Sequence, residues 1–194
     1  VTLNKASKIA ISSNFEITER KVKLHGEAFF SISHDQLHPF IINVNDVQVK
    51  VLGTEFNVYP DTIENKLTVI VISGRVAVSA GKNTSIITIG EYAEVNLQNK
   101  QISTGINEND NYLSWETGQL FFDDTPLYQV IEAINKQYGV KMVIASEDIA
   151  ERRLNASFDY TDIAKVTDLL SIVLKIDIKQ ENDKLVIYSR EAQK

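Results

Sequence analysis

The chain has 194 residues, 43% of them hydrophobic and 24% charged, with a formal net charge of −6 and no cysteine. This is enough sequence for one large domain or two small ones with a core of their own, and its composition is that of a globular protein rather than a disordered one. The acidic balance argues against a nucleic-acid or anionic-membrane binder, and the missing thiols exclude zinc ribbons, disulfide frameworks and cysteine catalysis.

The N-terminal end is already in strand-like alternation, with Val1 and Leu3 apolar and Thr2 and Asn4 polar, so the chain reads as a fragment of a longer protein. No signal peptide is evident, the single methionine is Met142, and no apolar run reaches the roughly 18 residues that span a bilayer. Residues 1–112 read as strands. Lys21–His25, Val47–Val51, Arg75–Ser79 and Ala93–Leu97 each alternate with period 2, as strands do with one face on a core and the other in water. Leu67–Ile72 is almost continuously apolar and is expected to be buried on both faces. Turn residues separate these runs, among them Gly26, Pro39, Gly53, Ser73-Gly74 and Gly81-Lys82-Asn83. The expectation is an all-β domain, either a sandwich or a short β-solenoid.

Residues 113–194 change pattern. Gln119–Phe122 reads as a short strand, with Thr125 as the N-cap and Pro126 as the first residue of a helix. Leu127, Val130, Ile131, Ile134 and Tyr138 form that helix's apolar stripe, which Gly139 ends. Strands follow at Val140–Ile144 and near Leu154–Phe158. Asp162 then caps a second helix whose stripe is Ile163, Val166, Leu169, Leu170 and Val173. Ile176–Lys179, a turn at Glu181–Lys184 and Leu185–Tyr188 close the chain. Two β-α-β units in this order predict a small α+β domain.

Candidate chemistry is sparse. His34 and His38 have the spacing of a helical metal pair, but Pro39 follows directly and favours a turn. Gly81-Lys82-Asn83 lacks the earlier glycine and the Ser or Thr of a phosphate loop and reads as a hairpin turn. The acidic pairs Asp123-Asp124 and Glu147-Asp148 sit at turns or helix starts, where capping accounts for them. Trp115, Phe121, Phe122 and Phe29-Phe30 could form a binding platform, with core packing the favoured reading. No catalytic residue, metal ligand or cofactor site is assigned.

In order along the chain, Gly26-Glu27-Ala28-Phe29-Phe30, Pro39-Phe40-Ile41-Ile42 and Val47-Gln48-Val49-Lys50-Val51-Leu52-Gly53-Thr54-Glu55-Phe56-Asn57-Val58 resemble the FecR family of sigma-factor regulators. Gly90-Glu91-Tyr92-Ala93 and Ser73-Gly74-Arg75-Val76 resemble further steps of that pattern, with Ile89 and Ser73 as departures. Trp115, Gly118, Leu120 and Phe122, then Pro126-Leu127, Val130 and Tyr138-Gly139-Val140, resemble the C-terminal domain of FecR-like proteins of the Bacteroidetes type. The two β-α-β units are similar to the short N-terminal domain of secretins and TonB-dependent transducers. Lys175 departs from the family's usual glycine, and the cost of a left-handed lysine, about 1 kcal/mol, predicts a different helix ending.

The resemblance implies a periplasmic sensor region, anchored through a transmembrane helix and a cytoplasmic anti-sigma domain that would precede Val1. Its implied partners are the N-terminal signalling domain of a TonB-dependent outer-membrane transporter and, through the cytoplasmic part, an extracytoplasmic-function sigma factor. Strand addition needs little side-chain signature, so the candidate partner-binding strand is Val140, Lys141, Met142, Val143 and Ile144. The rival readings are a carbohydrate-binding or adhesin-like β module and a secretin-like assembly subunit.

Overall fold

The computed structural model describes residues 1–12, 20–159 and 162–190. The chain divides into two compact units, Val1–Glu108 and Asn109–Lys194. The division falls within the polar, turn-rich segment that also holds the 112/113 boundary read from periodicity.

The first unit contains β1 (Thr2–Leu3), β2 (Lys8–Ile11), β3 (Arg20–His25), β4 (Ala28–Ser31), β5 (Phe40–Val44), β6 (Val47–Val51), β7 (Glu55–Asp61), β8 (Lys66–Ser73), β9 (Arg75–Ala80), β10 (Asn83–Thr88), β11 (Glu91–Asn96) and β12 (Ile102–Ile106). They form two six-stranded sheets, ordered β1-β4-β7-β8-β11-β12 and β10-β9-β6-β5-β3-β2. Inward residues of both sheets meet in one core, where Phe30, Phe56, Leu67 and Val69 from one sheet join Ile42, Val49, Val78 and Ile87 from the other. Stacked solenoid coils would pair in parallel, whereas among the described strands of this unit only β3 and β5 do so; this unit is the sandwich of the two alternatives. The apolar run expected to be buried on both faces is the central strand β8. Leu67, Val69 and Val71 point into the shared core, and Thr68 and Ile70 on the other face are buried as well.

The second unit contains α1 (Ser114–Thr117), β13 (Gln119–Pro126), α2 (Leu127–Tyr138), β14 (Met142–Ile144), α3 (Glu147–Ala150), β15 (Arg153–Asp159), α4 (Ile163–Val173), β16 (Ile176–Glu181) and β17 (Lys184–Ser189). The sequential order strand-helix-strand occurs twice, as the periodicity indicated, but the strands joined by each helix lie in different sheets. β13 pairs antiparallel with β15, while β14, β17 and β16 form a three-stranded sheet in which β14 runs parallel to β17. Between them the helices bury Leu127, Val130, Ile134, Val166 and Leu170. Phe122 and Phe158 meet edge to face at 5.7 Å, the arrangement that ring quadrupoles favour.

Five local expectations are corrected. The strand before α2 does not stop at Phe122; it bulges at Asp124, whose φ is 46°, and pairs again through Thr125 and Pro126. Pro126 is therefore the N-cap, and the Thr125 hydroxyl donates to the Asp123 carbonyl instead of capping the helix. The strand expected over Val140–Ile144 comprises only Met142–Ile144. On α4, Leu169 and Val173 face solvent at 38% and 50% exposure, because Val166, Leu170 and Leu174 supply the core contact. Lastly, Lys175 takes the left-handed conformation at φ 53°, so the chain leaves α4 as a glycine would let it, without the glycine.

Candidate docking surface

The recurring motifs of the first unit build architecture. Gly26 has φ 90° and lies so close to the Ser7 side chain that a Cβ would stand 2.4 Å from its Oγ. This approach lets the Ser7 hydroxyl accept from the Glu27 amide at 2.9 Å. The Glu27 carboxylate then accepts from Asn4 Nδ2 at 2.7 Å and from Asn57 Nδ2 at 2.9 Å, tying the N-terminal segment, β4 and β7 together. Asn57 is fully buried, so its pairing to a carboxylate is a strong, charge-assisted contact. Phe30 and Phe56, one from each motif, stack at 5.1 Å. Gly53 is required because a Cβ there would come within 2.3 Å of His34 Cα, and the buried Thr54 hydroxyl donates to the Arg75 carbonyl at 3.0 Å.

The two histidines do not converge on a site. Asp35 Oδ1 accepts from the Leu37 and His38 amides, and its Oδ2 lies 2.9 Å from His38 Nδ1, closing a turn. The His38 side chain, followed by its backbone amide, holds the Asp35 carboxyl below its ordinary range. Among the described residues no three His, Asp or Glu side chains gather as a metal site. Of the aromatics, Phe30 and Phe122 are buried in the cores of their own units, Phe29 and Trp115 are half-buried, and Phe121 is 50% exposed.

The candidate partner strand lies at a sheet edge. In the order β14-β17-β16, β14 is terminal. Leu185 N donates to Lys141 O and Ala145 N to Ile187 O, so the odd-numbered residues of this stretch bond to β17. The backbone groups of Met142 and Ile144 point the other way. At Met142 that outer edge is already occupied: its N–H donates to Asn135 Oδ1 at 2.7 Å and its carbonyl accepts from Asn135 Nδ2 at 2.9 Å. Among the described residues, Ile144 presents the open pair. The Met142 side chain is buried, Val140, Val143 and Ile144 are half-buried, and Lys141 is exposed with its ammonium 3.8 Å from Asp183. Val140 and Lys141 also line a hollow of about 560 Å³ with Ile163, Ala164 and Thr167 of α4.

β13 repeats the device. Phe121 N donates to Asn111 Oδ1 and Phe121 O accepts from Asn111 Nδ2, both at 2.7 Å. A carboxamide thus stands in for a neighbouring strand at both edges. Such covers blunt edges that would otherwise pair with another chain.

The sequence profile of the FecR protein family matches residues 1–77, and that of the FecR C-terminal domain matches residues 119–187. The chain belongs to the FecR family of anti-sigma factors. Two crystal structures of a candidate anti-sigma factor from Parabacteroides distasonis ATCC 8503 are similar to it at 26% identity, with TM-scores of 0.66 and 0.65. In each case the alignment covers 96% of this chain and 88% of the other. No curated protein matches the sequence. In this FecR protein two of the motifs that carried the resemblance, Gly26–Phe30 and Val47–Val58, build the Glu27–Asn57 tie and the Gly53 crossing, both internal to the first unit. Sequence reading located the β14 edge but missed its cover. Asn135 lies on a helix seven residues before Met142, and nothing in its spacing marks the contact.

Proposed function

We propose that this FecR protein is the periplasmic signal-receiving region of a single-pass inner-membrane anti-sigma factor. It relays the loaded state of a TonB-dependent outer-membrane transporter toward an extracytoplasmic-function sigma factor. In this reading the chain recognises other proteins and transforms no substrate, in keeping with a regulatory family. Among the described residues no helix is long and apolar enough to cross a membrane.

The observation that carries the reading is the β14 edge. A strand of the transporter's signalling domain adds alongside Ile144, using its outward N–H and C=O, and displaces the Asn135 carboxamide to continue past Met142. Partner and cover thus compete for the same backbone groups.

Isothermal titration of the chain with the N-terminal signalling domain of a TonB-dependent transporter tests this. Saturable binding that is lost in Ile144→Pro is expected. That proline removes an outward donor at an edge strand, where proline is tolerated. Val143→Pro would instead remove a bond to β17 and unravel the sheet. Binding to glycans with no response to the signalling domain would replace this reading with a carbohydrate-binding module.

A further inference from the structure

The second unit carries another surface, at the far end of the same sheet. α4 has two apolar stripes. Val166 and Leu170 enter the core, while Leu169, Ile172 and Val173, spaced i, i+3 and i+4, remain 38%, 74% and 50% exposed. Ile172 and Val173 border an open depression of about 1600 Å³. It is larger and more open than the roughly 300–1,000 Å³ clefts that enclose small ligands, and suits a length of polypeptide.

The charge of this depression opposes that of the molecule. Arg152, Arg153, Lys175, Lys179 and Arg190 line it against the single carboxylate of Asp177, on a chain of formal charge −6. Arg152 donates to the Leu174 carbonyl at 2.9 Å and the Lys175 carbonyl at 3.3 Å, covering the negative end of α4 that would repel an anion. Arg190 holds Asp177 at 2.8 Å, and Arg153 stands 3.8 Å from Asp124. Lys175 and Lys179 are exposed, and among the described residues neither makes a salt bridge; the Lys179 ammonium lies 5.3 Å over the Tyr188 ring. Lys175 also holds the left-handed φ of 53° that costs an L-residue energy and a glycine nothing.

We propose that this surface docks an acidic protein segment, with an apolar side chain seated on Ile172 and Val173 and flanking carboxylates on Lys175 and Lys179. A long polyanion such as duplex DNA, or a lipid surface, would meet the negative remainder of the molecule, whereas a short segment does not. β16 borders this depression and β14 is the opposite end of the sheet, so the surface goes beyond the strand-addition reading and does not depend on it.

Fluorescence anisotropy of the whole chain tests it, using a labelled synthetic peptide of one leucine bracketed by glutamates. Saturable binding that weakens several-fold with added salt is expected. Lys175→Gly, Lys179→Ala and Ile172→Ser should each weaken it several-fold, while Ile144→Pro leaves it unchanged. Lys175→Gly is expected to keep or raise the melting temperature, and a loss of binding with an undiminished melting temperature does not come from unfolding. Equal binding of a peptide with glutamine in place of glutamate, unaltered binding by the three surface variants, or preference for duplex DNA or phosphatidylglycerol vesicles would overturn the proposal.

Discussion

Replacing Asn135 with alanine removes both hydrogen bonds that close the β14 edge, from the Met142 amide and to the Met142 carbonyl. Each such bond contributes about 0.5–1.5 kcal/mol net, or about 1–3 kcal/mol together. The residue sits in the last turn of α2, where its backbone carbonyl accepts from Gly139, and alanine is the better helix former there by roughly 0.5 kcal/mol. The Met142 groups lie at an open edge and water can replace the lost partner, which places the net loss near 1.5 kcal/mol. Urea denaturation should show it as a lower midpoint with an unchanged slope. Asn135→Asp keeps the acceptor for the Met142 amide but turns a carboxylate oxygen on the Met142 carbonyl, so it should destabilise at least as much. Freed of its cover, the edge of the alanine variant should also take up an added strand more tightly. Wild-type stability in the alanine variant would refute the reasoning.

Glu27→Ala leaves the amides of Asn4 and buried Asn57 without their shared acceptor and should cost about 3 kcal/mol, read in denaturant unfolding of the first unit. For Lys175→Gly, relief of about 1 kcal/mol of left-handed strain against about 0.5–1 kcal/mol of added chain entropy predicts a stability unchanged or raised by up to about 0.5 kcal/mol, visible in calorimetry. Asp35, held below its ordinary pKa of 3.8 by His38, favours the folded state when ionised. Its contribution is complete above that ordinary value and is lost as the pH falls through the lower, folded one. A carboxyl NMR titration of Asp35 with its midpoint at or above 3.8 would contradict the turn geometry.

Most of the fold was legible where one pattern served one purpose. Val47–Val51 alternates because one face meets the shared core, and β6 shows that alternation in its burial. Leu67–Ile72 lost its alternation because β8 is central and buried on both faces. Misreadings arose where local preference met a tertiary demand. Thr125 and Pro126 carry good helix-start chemistry, but β15 offers Leu154 and Arg153 as partners and holds them in the strand. α3 is one turn long and too short to show a period. Leu169 and Val173 carry core-like spacing because apolar spacing does not distinguish a core stripe from an exposed one. The asparagine covers were invisible because Asn111 and Asn135 act through chain geometry that a carboxamide alone does not announce. The family motifs were read correctly as a signature, and the structure gives those of residues 26–58 work inside the first unit rather than at the β14 edge.

Amide hydrogen exchange of the chain with and without the transporter's signalling domain tests the central claim most directly. The Ile144 amide, which points away from β17, should gain protection on binding, and Met142 should stay protected as its partner changes from Asn135 to the added strand. Binding that leaves Ile144 exchange unchanged while protecting amides elsewhere would contradict reception of the signal at this edge.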